Sequence, residues 1–333
     1  MPEVSRPAAR PDPRRIDRDT AAAAAVGAVR LHLGQRNSGP TATVGSRRRP
    51  RSHAYDPPIA LLPLPQPYDF YASTERFRSY GDDRANVWHD GGLHRVVAGR
   101  EVRVEAAPGG VRVAPFDDEV VTLVEWLLGA PFDLEGFWAW AAAEPTLASL
   151  REPLAGYRPP LVADPWEMLV TSVTAQQVSL HSAFAVRSRL IERFGVRHEH
   201  AWAFPTRERI ARASEEEIRA VGFSSRKAEY VTGIARGPLD LERLALLADE
   251  EVIDAITSER GLGRWTADWF LARALARPAA WPAGDLGVRK AVSFFYGSGR
   301  DLDETEVRAV GERFGPWRNI ACHMLLAGAR LRG

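Results

Sequence analysis

Glu259-Arg260-Gly261-Leu262-Gly263-Arg264-Trp265-Thr266-Ala267 is the stretch that decides the fold. Helical periodicity precedes it over Asp249–Thr257 and resumes over Thr266–Ala276. Two glycines flank one apolar residue, so the chain can reverse in very few residues with positive φ available. Leu262 is placed to plug the gap between the two helices. The second helix opens at Arg264–Thr266, where free backbone N–H groups point outward beside side-chain-free glycine. An anion such as a phosphate can approach that backbone closely. Gly261, Leu262, Gly263, Arg264 and Thr266 are therefore candidates for sequence-independent contact with a DNA backbone. A structural tight turn is the commoner cause of a bare Gly-x-Gly; the longer string is more specific.

Outward from the hairpin, helices are predicted from Asp117 to the end of the chain. Asp117, Asp133 and Asp164-Pro165 open helices over 120–128, 134–143 and 165–173, and Ser179 or Ser182 opens 183–194. Ser214 with Glu217 three residues on is a capping box for Glu215–Val221. Helices over 226–235, 288–295, 303–314 and 317–329 complete the pattern. Before Asp117 the period is that of strands. Asn86–His89, Leu93–Val97, Glu101–Glu105 and Val111–Ala114 are separated by Asp90-Gly91-Gly92, Gly99 and Pro108-Gly109-Gly110, which predicts an antiparallel meander. The class is mainly α with an N-terminal α+β domain. Residues 1–57 are an Arg/Pro/Ala-rich tail with the cluster Arg47, Arg48, Arg49, Arg51, expected to be disordered. It reads either as a DNA-binding arm or as a dispensable leader. Residues 58–130 form the α+β domain and 131–333 the helical one.

Charge and cysteine count remove whole function classes. The net charge is +1, but residues 1–51 carry +7, leaving −6 on the rest. The folded part is not globally basic, so any nucleic-acid contact there is a local patch aided by backbone amides. Cys322 is the single cysteine, which excludes an intrachain disulfide, a four-cysteine zinc site and a cysteine-ligated iron–sulfur cluster, and fits a reducing cytosol. No run of about 18 apolar residues exists, so no membrane partner is expected. The eight histidines form no H-E-x-x-H or deaminase pattern, and His198 and His200 read as surface loop residues.

The hairpin string resembles the Gly-hydrophobic-Gly-x-x-Thr-Ala element of the helix-hairpin-helix (HhH-GPD) DNA glycosylase superfamily. The likeness extends along residues 60–330. About twenty residues past the hairpin, Arg277-Pro278-Ala279-Ala280-Trp281-Pro282-Ala283-Gly284-Asp285 resembles the family's loop ending in an essential Asp. Asp164 to Ser179 resembles its first catalytic-domain helix and wedge loop, Gly222 to Ala228 the turn two helices before the hairpin, and Phe314 to Arg318 its Pro-Trp-Arg signature. Within the superfamily the chain is most similar to the bacterial DNA-3-methyladenine glycosylase II group, whose extra N-terminal β domain matches the meander.

The resemblance implies a helix-hairpin-helix glycosylase fold preceded by a small antiparallel β domain. It implies a base-excision repair enzyme that flips a damaged, alkylated purine out of double-stranded DNA and hydrolyses its N-glycosidic bond. Asp285 is then the catalytic carboxylate; an Asp at a helix start is also a common N-cap, and the two roles coexist. Trp265 and Trp269, four apart and so on one helix face, together with Leu286 are the expected base pocket, with cation–π attraction for an alkylated cationic base. Core packing is the other reading of the tryptophan pair. Gln176 and Gln177 fall at the family's wedge. The family's hairpin carbonyls can hold a monovalent cation; no metal at the active site and no other cofactor is expected. Bifunctional relatives place a lysine where this chain has Trp265, so a monofunctional enzyme is expected. It is expected as a monomer in the bacterial cytoplasm, associated with the nucleoid. The alternatives are a non-catalytic DNA-binding protein and a glycosylase for oxidised or deaminated bases.

Overall fold

The computed structural model describes residues 59–332. The basic tail over 1–57 lies outside the described residues. Five strands, β1 Ala60–Pro63, β2 Val87–His89, β3 Gly92–Val97, β4 Arg100–Ala107 and β5 Gly110–Ala114, form one antiparallel sheet in the order β1-β5-β4-β3-β2. The meander β2–β5 follows the turn signals. β1 is a strand that the sequence reading did not single out; at the sheet edge its Pro63 removes no ladder bond that the sheet needs. Pro63 pairs with Gly110, where a Cβ would stand 2.0 Å from the Leu62 carbonyl oxygen. Leu62, Leu93, Val102, Val104, Val111 and Val113 face the helix Asp118–Leu127 and form one buried cluster with its Val120, Leu123 and Val124.

A second, larger cluster runs through the helices from Trp126 to Ala327. The helices begin where the capping residues dictate. Asp117, Asp133, Asp164, Ser179 and Asp285 each accept a backbone N–H from their own first turn, and Ser214 and Glu217 make the capping box. Such caps are worth about 1 kcal/mol each. The short helices Phe70–Ser73, Pro145–Ala148, Arg207–Arg212 and Leu241–Leu244, and the two-residue strands Val196–Arg197 and Trp202–Ala203, carry too little periodicity to be read from sequence.

The sheet and the helices are joined by specific bonds near residues 73–86. Ser188 Oγ donates to the Asp82 carbonyl at 2.6 Å, Trp202 N–H to the Arg84 carbonyl at 2.8 Å, and Arg158 N–H to Ser73 Oγ at 2.9 Å. Below this seam lies a buried ionic network. Glu167 accepts from Arg95 and from Arg187, at 2.7 Å for the latter, while Asn86 links Arg95 to Asp83 with bonds of 2.7 and 2.6 Å. Burial pushes the Glu167 carboxyl up, but Arg95 and Arg187 outweigh it and hold it below the ordinary range. Breaking such a network by removing one partner costs about 3–5 kcal/mol. It fixes residues 83–95 against the helix Pro165–Ala175 and so builds one wall of the cavity described next.

Candidate active site

The hairpin joins helix Asp249–Ser258 to helix Arg264–Arg273. The second helix starts before Thr266 and ends before Ala276, whose φ is +50°. The two glycines have different roles. Gly261 has φ +90° and lies against Tyr230, where a Cβ would stand 2.1 Å from the ring. Gly263 has ordinary φ, −121°, and nothing lies within 4 Å of the place a Cβ would take, so its face is open to an approaching ligand. No side chain caps this helix, leaving its first backbone N–H groups without helical acceptors.

Leu262 is buried between the helices, as a plug should be. Thr266 is 1% exposed, and its N–H donates to the Gly263 carbonyl at 2.9 Å. Its place in the third position of the helix turns it inward. Arg264 is half exposed and bonds Asp268 at 2.8 Å, one turn along the same face.

Asp285 stands at the start of helix Leu286–Tyr296. Its Oδ1 accepts the Val288 N–H at 3.0 Å; its Oδ2 accepts Trp265 Nε1–H at 2.8 Å and Trp269 Nε1–H at 3.2 Å. The carboxylate is therefore a cap and a fixed, three-donor acceptor at once. The tryptophans share a face, and what they present to the carboxylate is their N–H edge.

Asp285, Trp265 and Trp269 line a cavity of about 540 Å³. Phe77, Tyr80, Met168, Phe184 and Leu326 supply apolar wall, and the ionic network closes another side through Asp83, Glu167 and Arg187. One sequence expectation is corrected here and another is narrowed to Trp265. Leu286 is 62% exposed and lies outside the cavity, because as first residue of its helix it points away from the wall that Gly287, Lys290 and Ala291 form. The Trp269 ring is already covered by the Arg273 guanidinium, 4.2 Å from its centroid, so that face does not stack a cationic base. Arg273 follows Trp269 by four residues, a spacing that puts the two on one helix face. Neither Tyr80 nor Phe184 carried a sequence signal, since both arrive from distant segments.

Gln176 and Gln177 separate clearly. Gln176 Nε2 donates to the Gly261 carbonyl at 2.8 Å, tying the loop to the hairpin. Gln177 is exposed, with φ +55°. Lys227 Nζ donates to the Thr174 carbonyl at 2.9 Å and so braces the same loop; burial pushes its amine down. Lys290 lines the same cavity as Asp285, although five residues separate them in the chain. Among the described residues no helix is long and apolar enough to cross a membrane.

Residues 170–316 match the model of the HhH-GPD superfamily of base excision DNA repair proteins. The chain is 28% identical over 216 residues to a DNA-3-methyladenine glycosylase of Bacillus subtilis, covering 62% of this chain and 71% of that one. It is 31% identical over 175 residues to DNA-3-methyladenine glycosylase 1 of Schizosaccharomyces pombe, covering 50% of this chain and 74% of the relative. Among solved structures, a 3-methyladenine DNA-glycosylase from Archaeoglobus fulgidus superposes with a TM-score of 0.71 at 29% identity, covering 80% of this chain and 96% of that chain.

Proposed function

Because the chain belongs to the HhH-GPD superfamily of base excision DNA repair proteins, we propose that it is a monofunctional DNA N-glycosylase for alkylated purines, with Asp285 as its catalytic carboxylate. The observation that carries this reading is a carboxylate held by three N–H donors at the wall of a 540 Å³ cavity. That volume lies within the range of small-ligand sites, about 300–1,000 Å³. A base inside a duplex is out of reach, so the damaged nucleotide is flipped into the cavity at a cost of a few kcal/mol. Gln177, the exposed member of the pair, fills the gap it leaves. The hairpin's free N–H groups beside Gly263 hold a phosphate and fix register without reading sequence.

As the glycosidic bond breaks, positive charge grows on the sugar. Asp285 stabilises that charge and orients the attacking water. The indole donors leave the carboxylate little freedom to turn, so its geometry is set before substrate arrives. Alkylation at a purine ring nitrogen makes the base a better leaving group, and carboxylate stabilisation then suffices. Selectivity for the lesion comes from the shape of the cavity and its aromatic residues Tyr80 and Phe184, since Arg273 occupies the Trp269 face. The hairpin carbonyls are oxygen donors of the kind a monovalent cation takes, and the one on Gly261 also accepts from Gln176. On this reading the protein works as a monomer on nucleoid DNA in the bacterial cytoplasm. A purely structural DNA-binding module gives no reason for a bonded carboxylate beside a large cavity.

The test is chromatographic release of bases from methylated duplex DNA. The wild-type protein is expected to release methylated purines, and Asp285→Asn to lose on the order of 10²-fold or more in rate while still binding damaged duplex. Near-wild-type turnover by Asp285→Asn refutes the assignment. Faster release from oxidised or deaminated duplex DNA, assayed alongside, favours the alternative lesion class.

A further inference from the structure

Away from the cavity, three of the chain's eight histidines meet at one seam. His89 ends β2, His94 lies on β3, and His200 sits in the loop between strands Val196–Arg197 and Trp202–Ala203. The rings of His89 and His200 stack with centroids 4.2 Å apart, and that of His94 meets His200 edge-on at 4.6 Å. Local sequence assigns His200 nothing beyond a surface loop, because its partners lie about a hundred residues away. Glu101 on β4 joins them. Its Oε1 is 2.8 Å from His94 Nδ1, and its Oε2 accepts the backbone N–H of His200 at 2.9 Å. One ring nitrogen from each of His94 and His200 and one Glu101 oxygen lie within 4.8 Å of one another.

A second observation singles this cluster out. His94 is 5% exposed, and its Nε2 is buried with no hydrogen-bond partner. A buried polar atom left unpaired costs about 1–3 kcal/mol. With Nδ1–H turned to a carboxylate, the imidazole tautomer is set and the Nε2 lone pair is free. That is how a carboxylate orients a metal-ligating histidine. We propose that His94, through Nε2, and His200, with His89 alongside as a third imidazole and Glu101 orienting His94 through Nδ1, form a binding site for a divalent transition-metal ion of the zinc type. Imidazole donors suit such an ion. The partly exposed His89 and His200 give the ion a path from solvent.

The site has a structural consequence. It clips the loop carrying His200, which follows helix Leu180–Phe194, to the sheet. That helix bears Phe184 and Arg187 of the cavity wall, and Arg95 of the ionic network directly follows His94 on β3. A bound ion stiffens the back of the cavity without touching Asp285.

The experiment uses the full, tag-free chain stripped with a chelator and titrated with zinc chloride by calorimetry, with cobalt(II) absorption as a spectroscopic check. One zinc per chain is expected, with a rise of several degrees in melting temperature and visible cobalt bands of a four-coordinate nitrogen/oxygen site. His200→Ala, on a surface loop where folding is not at stake, is expected to abolish all three signals. Glu101→Gln is expected to weaken zinc binding about 10–100-fold. Base release by the stripped and loaded wild-type protein is expected to be equal at a temperature where both are folded. Absence of stoichiometric zinc binding by the wild-type chain overturns the proposal, as does undiminished binding by His200→Ala.

Discussion

The indole N–H of Trp265 is bonded to Oδ2 of Asp285 at 2.8 Å, across twenty residues of chain. The bond changes the sense of the tryptophan: it positions a carboxylate through its edge. A hydrogen bond to a charged group is worth about 1.5–3 kcal/mol. Trp265→Phe keeps an aromatic ring and deletes the donor. Single-turnover base release is expected to fall about 10-fold or more on that figure, with affinity for damaged duplex within a few-fold of wild type. A rate loss fully explained by weaker binding contradicts this role.

The hairpin glycines are expected to fail in different ways. Gly263 faces open space, so Gly263→Val leaves the melting temperature near wild type but weakens binding to damaged and undamaged duplex by a similar factor. Gly261 combines positive φ with the Tyr230 ring, so Gly261→Ala destabilises the fold, with about 1–3 kcal/mol from the backbone conformation alone. Thermal melts beside fluorescence binding separate the two. A loss confined to lesion-bearing DNA in Gly263→Val contradicts a phosphate contact.

Strand cleavage by β-elimination is not expected. The hairpin position at which bifunctional relatives carry lysine is Trp265, whose indole cannot form a Schiff base. Lys227 is spent on the Thr174 carbonyl, and Lys290, though on the cavity wall, is an exposed amine without the burial that activates a lysine nucleophile. Borohydride added during turnover on a lesion duplex should trap no protein–DNA adduct. An adduct that vanishes in Lys290→Ala reverses the conclusion.

Acid is expected to weaken the fold through His323. Burial, and then the charges of Arg273, Arg76 and Arg330, hold its imidazole well below the ordinary 6.5. Below pH 6.5 the unfolded chain takes up a proton at this residue that the folded chain refuses. The unfolded state thus binds more protons, and stability falls as pH falls through that window. The slope from one such group is at most about 1.4 kcal/mol per pH unit. His323 Nε2 has no partner, so His323→Leu removes the titration without orphaning another polar group. Melts at pH 7.5 and 5.5 should show a smaller acid shift in the variant. An equal shift in both proteins removes His323 as the cause.

What the sequence determined by itself was local. A Gly-x-Gly reversal, an Asp or Ser before an apolar helical run and Gly-rich turns between Val-rich segments act within a few residues through φ, capping and periodicity. They were enough for the hairpin, most helices and the meander β2–β5. The resemblance then pointed to Asp285. The tertiary structure alone decided which way side chains turn once helices pack. It aimed both indole N–H groups at Asp285, turned Leu286 to solvent and Thr266 to the core, and gave Gln176 to the hairpin while leaving Gln177 exposed. It also brought His200 beside His94 and Glu101. Those outcomes depend on contacts between segments that lie from about twenty to about a hundred residues apart, and no short-range periodicity encodes which partner a side chain will meet.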